Sequence, residues 1–329
     1  TIMLAELSPA YGTGIVTRRG GCAVVGRDVA EGFEIAVAGA DGSGRVVYRS
    51  AEPASLVDAD DRMAAIRHPP DGDLFHPVVR VVDLDTGDVV AELDDDGLGA
   101  TPIAFSPVGD GRLLVSHSRH DRAGLLIWSP ATGEIEEILV DVPGDVNGAW
   151  LPDASGLLLV VSLDGRDTIQ RLDLASGTSA PIDAPRGVVD AYSVRNDGTV
   201  QALVESAADA PTLVEIGAGP IVVFDGEPPA PSVPAESIHA DGPAGRVHAF
   251  LHRPTIGDAP YPTVFAVHGG PTAQDLDAYR PIVAALVDAG YAVVRVNYRG
   301  STGYGRDWRD ALVARLGAIE MEDIGAVRA

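Results

Sequence analysis

Two patterns in the sequence predict a β-propeller of about five blades followed by the opening part of an α/β domain. Over roughly the first two-thirds of the chain, turn glycines at Gly44, Gly87, Gly133, Gly177 and Gly219 recur at steps of 43, 46, 44 and 42 residues. Over the remainder, two apolar strand-like runs flank a segment of helical spacing.

A second set of turns runs out of phase with the first, at Gly72, Gly111, Gly156 and Gly198, in steps of 39, 45 and 42 residues. Two turns in each such repeat separate about four short strands, the size of one blade. The runs Leu113–Ser116, Leu125–Trp128 and Leu157–Ser162 supply such strands, and Trp128 and Trp150 on them are expected in the blade core. An all-β sandwich with fortuitous spacing is the alternative. Four prolines in residues 225–235 block both ladder and helix, which sets domains at 1–232 and 233–329.

Beyond the prolines, Ser237–Ala240 and Arg246–His252 read as a hairpin. Thr263–Val267 is a continuous apolar run of the kind a strand buried on both faces requires. From Ala278 to Ala289, Ile282, Ala285, Leu286 and Ala289 share a helical spacing that Gly290 ends, and Tyr291–Val296 returns as a second buried strand. This βαβ unit predicts a parallel pair with a right-handed crossover. Helices are expected from Asp307 to Leu316 and from Glu320 to Ala329.

Charge and composition exclude several functions. The 329 residues hold 48 acidic against 24 basic side chains, a net charge of −24, which argues against nucleic acid and an anionic membrane surface as partners. Every basic residue is Arg, so no Walker-A lysine, kinase strand lysine or pyridoxal Schiff base can be completed, and no cofactor is expected. Cys22 is the only cysteine, so no intrachain disulfide can form; it is expected to be a small buried residue, and a cytoplasmic location is expected because its lone thiol is compatible with a reducing cytosol. No apolar run reaches a membrane span, while the start at Thr1 rather than Met leaves room for an upstream segment.

No metal is expected either. His248 and His252 on a strand lie about 13 Å apart by rise, too far for one zinc, so they and His117 and His120 read as surface or hairpin histidines. Asp94-Asp95-Asp96 and Asp83-x-Asp85-x-Gly87 do not complete a calcium loop.

The chemistry is concentrated at two strand ends. Val267-His268-Gly269-Gly270-Pro271 follows the first buried strand, where adjacent glycines let backbone N–H groups approach a reacting carbonyl oxygen, as the His-Gly-Gly turn of α/β-hydrolases does. The next strand ends in Asn297-Tyr298-Arg299-Gly300-Ser301-Thr302-Gly303-Tyr304-Gly305, whose glycines read G-x-x-G-x-G and not the dinucleotide fingerprint. Together these segments resemble the prolyl oligopeptidase (S9) family of serine peptidases, strongly from Tyr261 to Ala329 and over the propeller by repeat pattern only.

That resemblance implies hydrolysis of short peptides or aminoacyl amides by a Ser-His-Asp triad, within a β-propeller joined to an α/β-hydrolase domain. It implies that His268-Gly269-Gly270 lines the oxyanion hole, with Gly270 N–H the preferred donor, and that Tyr298 and Arg299 brace the loop beside it. No serine has Gly at both −2 and +2, so the nucleophile, acid and histidine are expected beyond Ala329, and the chain alone is expected to be inactive. An esterase or amidase on the same scaffold, or a propeller binding module with a vestigial hydrolase half, are the rival readings. A homo-oligomer is compatible with the sequence.

Overall fold

The computed structural model describes residues 13–17, 22–39, 43–216, 219–220, 232–270 and 273–329. The turns at Asp41-Gly42 and Gly217-Ala218, most of the proline-rich stretch and Pro271 lie outside them.

Among the described residues, five four-stranded sheets follow one another, each with its strands in chain order. The first comprises Thr13–Thr17, Ala23–Val29, Gly32–Ala38 and Gly44–Ser50; the second, Ser55–Ala59, Met63–His68, Val78–Asp83 and Val89–Leu93. The third runs through Ala100–Phe105, Leu113–His120, Arg122–Ser129 and Glu134–Ile138, and the fourth through Asp145–Trp150, Gly156–Leu163, Arg166–Asp173 and Thr178–Ile182. The fifth is Val188–Val194, Val200–Glu205, Thr212–Glu215 and Gly219–Pro220. Pairing within the blades is antiparallel, as the short glycine turns dictate. The predicted turn chemistry is visible at Asp83, whose carboxylate accepts the amides of Asp85 and Thr86 and is thereby occupied in closing the turn.

Contacts divide the chain into two compact units, one of the described residues up to Val140 with Ala149–Ser155, the other of Asp141–Gly148 with Gly156–Ala329. In the first unit Trp128 is buried among Leu113, Val115 and Leu126, and Trp150 donates its indole N–H to Ala104 O at 3.0 Å. Asp95 is buried against Arg119, and His117 is buried with Leu125 O as a partner, so neither belongs to the surface. Cys22 is half-buried and not enclosed as expected, because it lies just before the buried run of its strand begins at Ala23.

The second unit carries the sixth sheet, whose spatial order is Glu236–Gly242, Gly245–His252, Ala292–Asn297, Thr263–Ala266. The hairpin and the parallel pair are as predicted, with Thr263 opposite Ala292 and Ala266 opposite Arg295. Every residue of Ala292–Asn297 is buried, since it is paired on both sides. Full burial of each valine there stabilises the sheet by about 1.5–3 kcal/mol.

Three expectations are corrected. The Thr263–Ala266 strand is half-buried and Val267 is exposed, because among the described residues the strand has a neighbour on one edge only. The connecting helix is Pro281–Asp288 and buries Val283 and Val287 against Val293, whereas Ile282 is 70% exposed. The helix expected from Asp307 to Leu316 is Arg306–Asp310 followed by turns, with Ala314 and Gly317 at positive φ; the last helix is Ile319–Arg328.

Candidate active site

Parallel pairing sets the chain beyond Ala266 beside the chain beyond Asn297, so both loops emerge at the carboxyl ends of adjacent strands, where α/β sheets hold their ligands. The His268 and Tyr298 rings stack with centroids 4.4 Å apart and planes 13° apart. Tyr298 Oη donates to His268 O at 2.6 Å, and burial raises its phenol, keeping it protonated for that purpose. His268 Nε2 lies 2.9 Å from Ser301 Oγ, and Nδ1 lies 3.2 Å from Gly269 O. Gly269 and Gly270 are exposed, a Cβ at Gly269 would meet nothing within 4 Å, and Gly270 has φ +134. Among the described residues, no acceptor takes either of their amide N–H groups.

Arg299 turns the other way. Its amide donates to Asp323 Oδ2 at 2.8 Å, Nη2 to Asp323 Oδ1 at 2.8 Å and to Glu322 Oε2 at 2.7 Å, and Ile319 O takes a further bond. Asp323 above all, against the cost of burial, holds the guanidinium more firmly protonated than usual. The structure thus brings His268, Gly269, Gly270 and Tyr298 together and places Arg299 behind them, anchoring the loop to the last helix.

Beneath the two loops lies a polar layer that sequence reading missed. Asn297 accepts the Asp275 amide at 2.7 Å and returns a bond to Asp275 O at 2.9 Å; Tyr304 and His248 complete its shell. His248 also meets Ser237, and His252 accepts from Arg295 Nε at 3.2 Å. Both imidazoles are 1% exposed, which overturns the surface reading of this pair. Burial is the main cause that depresses each to about 4, so both are neutral near pH 7. Arg295 pairs with Asp275, whose carboxyl burial pushes up.

Asp277 fastens the segment after the glycines to the fourth and fifth sheets. Arg166 Nε donates to its Oδ2 at 2.6 Å, Ala207 N to its Oδ1 at 3.0 Å, and its own amide to Gly165 O at 2.8 Å. Tyr279 N donates to Glu205 Oε2 at 2.9 Å nearby. The one sequence signal for this layer was a strand, Val247–His252, apolar except for two histidines at its inner positions.

A sequence model described as the prolyl oligopeptidase family matches residues 278–329. A dipeptidyl aminopeptidase BIII of Pseudoxanthomonas mexicana is 31% identical over 233 residues, which is 64% of this chain and 34% of the relative. The chain is thus similar to the prolyl oligopeptidase family, most directly over residues 278–329. Solved structures carry its fold. A puromycin hydrolase superposes with a TM-score of 0.72 at 22% identity, over 93% of this chain and 53% of the other. A puromycin-hydrolyzing peptidase of Mycobacterium tuberculosis gives 0.75 at 20% identity, over 93% and 52%. The chain spans about a third of that curated relative and about half of those solved chains.

Proposed function

We propose that this chain is part of a serine hydrolase that cleaves short peptides or aminoacyl amides, with a propeller over residues 1–232 and a hydrolase domain opening at 233. In this reading the Gly269 and Gly270 amides bind the oxyanion of the tetrahedral intermediate, Tyr298 and Arg299 brace the loop beside them, and the Ser-His-Asp triad comes from polypeptide after Ala329. The observation that carries it is the exposed glycine pair at a parallel strand end, whose amide N–H groups have no acceptor among the described residues. The family-model match over residues 278–329 and relatives described as a dipeptidyl aminopeptidase and puromycin hydrolases support the substrate class. No cofactor enters the scheme.

Loss of a triad serine or histidine costs about 10⁶ in turnover and an oxyanion donor about 10²–10³, so the donors cannot act without the nucleophile. A fluorophosphonate probe tests the assignment. It should label the product of the complete gene and leave the 329-residue chain unlabelled; strong labelling of the isolated chain, or none of the complete product, overturns it. Matched amide and ester substrates then distinguish peptidase from esterase.

A further inference from the structure

The orientation of two peptide planes sets what the glycine pair can bind, and side chains outside the pair set those planes. In a trans peptide the C=O and N–H point in opposite directions. With His268 O occupied by the Tyr298 hydroxyl at 2.6 Å, the N–H of the same peptide, that of Gly269, faces the opposite way, where the glycine is exposed. With Gly269 O met by His268 Nδ1 at 3.2 Å, the N–H of Gly270 is turned out in the same manner.

A single tautomer satisfies every contact of the imidazole. Nδ1 carries the proton and shares it between Gly269 O and Tyr298 Oη, both 3.2 Å away, while Nε2 accepts the Ser301 hydroxyl at 2.9 Å. The reverse tautomer would set a bare Nδ1 lone pair against a carbonyl oxygen. Ser301 is 0% exposed, and its own amide is tied to Tyr298 O at 2.9 Å, so its hydroxyl is held from behind. Trp308 Nε1 bonds the same Tyr298 carbonyl at 2.9 Å.

We propose that Tyr298 and Ser301 are positioning residues that, through the carbonyl and ring of His268, aim the Gly269 and Gly270 amides as a paired donor for an acyl oxyanion. The inference rests on the hydrolase reading above and adds to it the source of the donors' alignment. Neither hydroxyl touches substrate; each acts through His268.

The experiment uses the complete gene product. Tyr298→Phe keeps the stacked ring and removes the donor to His268 O; Ser301→Ala removes the donor to Nε2, and Ser301→Thr restores a hydroxyl. Displacing a catalytic group slightly costs about a hundredfold, so Tyr298→Phe should lower kcat by about ten- to a hundredfold with KM nearly unchanged. Ser301→Ala should fall in the same direction and Ser301→Thr should recover part of the rate. Glycine-selective 15N amide spectra of the same protein should show the Gly269 and Gly270 resonances moving in Tyr298→Phe with the melting temperature retained. Unchanged kcat in both hydroxyl-deleting variants overturns the proposal, as does a parallel loss of kcat, KM and melting temperature. Failure of the hydrolase reading is seen separately, as an unlabelled and inactive wild type; stationary glycine resonances in that case overturn the positioning as well.

Discussion

Replacing Asp323 with Asn tests how the loop behind the glycine pair is held. The Asp323 side chain is 1% exposed and that of Arg299 is 7%, so the pair is cut off from water. Asp323 accepts the Arg299 amide and the Nε and Nη2 donors together. Asn keeps the size and one acceptor oxygen but removes the charge, leaving a buried guanidinium whose one remaining carboxylate partner is Glu322, 47% exposed, beside the neutral Ile319 carbonyl. Breaking one side of a buried pair costs about 3–5 kcal/mol, and the residual Glu322 contact points to the lower end, about 3 kcal/mol. At about 2–4 °C per kcal/mol for a domain of this order, melting should fall by about 6–12 °C. Glu322→Gln breaks only the exposed pair and should cost about 1 kcal/mol or less. Circular-dichroism melting and urea titration of the wild type and both variants provide the comparison. Equal losses in the two variants, or an Asp323→Asn protein within about 1 kcal/mol of wild type, would show that Arg299 is not anchored through this carboxylate.

Two glycines of the site should respond unequally to alanine. Gly300 has φ +112 and a Cβ there would sit 2.5 Å from Leu312 Cδ2, so Gly300→Ala should destabilise by about 1–3 kcal/mol in urea unfolding. Gly269 has open space around a Cβ, so Gly269→Ala should change stability by no more than about 0.5 kcal/mol; matching losses would contradict the described geometry. The buried imidazoles predict acid sensitivity. His252 falls from 6.5 to about 4 on folding, mainly through burial and then through Arg295, so the unfolded chain takes up its proton first and the stabilisation present above pH 6.5 is lost as pH drops toward 4. The loss is on the order of 3 kcal/mol. Asp275, raised by burial, works in the opposite sense but is common to both proteins, so the difference between wild type and His252→Gln isolates the imidazole. Parallel stability curves for the two proteins over that range would refute the assignment.

The blades were legible because turn glycines report a local backbone requirement: Gly87, Gly133 and Gly177 all stand at positive φ where the reading placed turns. The parallel pair was legible for a similar reason, since Ala292–Asn297 is apolar at four of its six positions and is buried at all of them. Periodicity failed where two faces of a helix are equally apolar. Ile282 and Val283 carry the same hydropathic signal, and only the location of Val293 decides between them. The His268-Gly269-Gly270 segment stood out through its adjacent glycines, whereas Ser301, Asp275 and Asp277 gave no signal. Their partners are distant in the chain: Asp277 lies 111 positions from Arg166 and Ser301 lies 33 from His268. A burial-minded reading of Val247–His252 would have recovered the histidines, because a strand apolar on both faces leaves its polar members inside.

The Arg166–Asp277 fastening also bears on how such a protein can be inherited or dissected. Asp277 is 3% exposed and draws its partners from Arg166, Ala207 and Gly165, all of which precede residue 232. Severing the polypeptide there would leave a carboxylate in the smaller piece stripped of the cation that neutralises it and of the Ala207 amide that donates to it. Recombination between relatives at any point between Ala207 and Asp277 is therefore constrained: a donor segment carrying position 277 can replace this one only if it brings an acid for Arg166 or arrives with its own companion for the arginine. Residues far apart in the gene must change hands together.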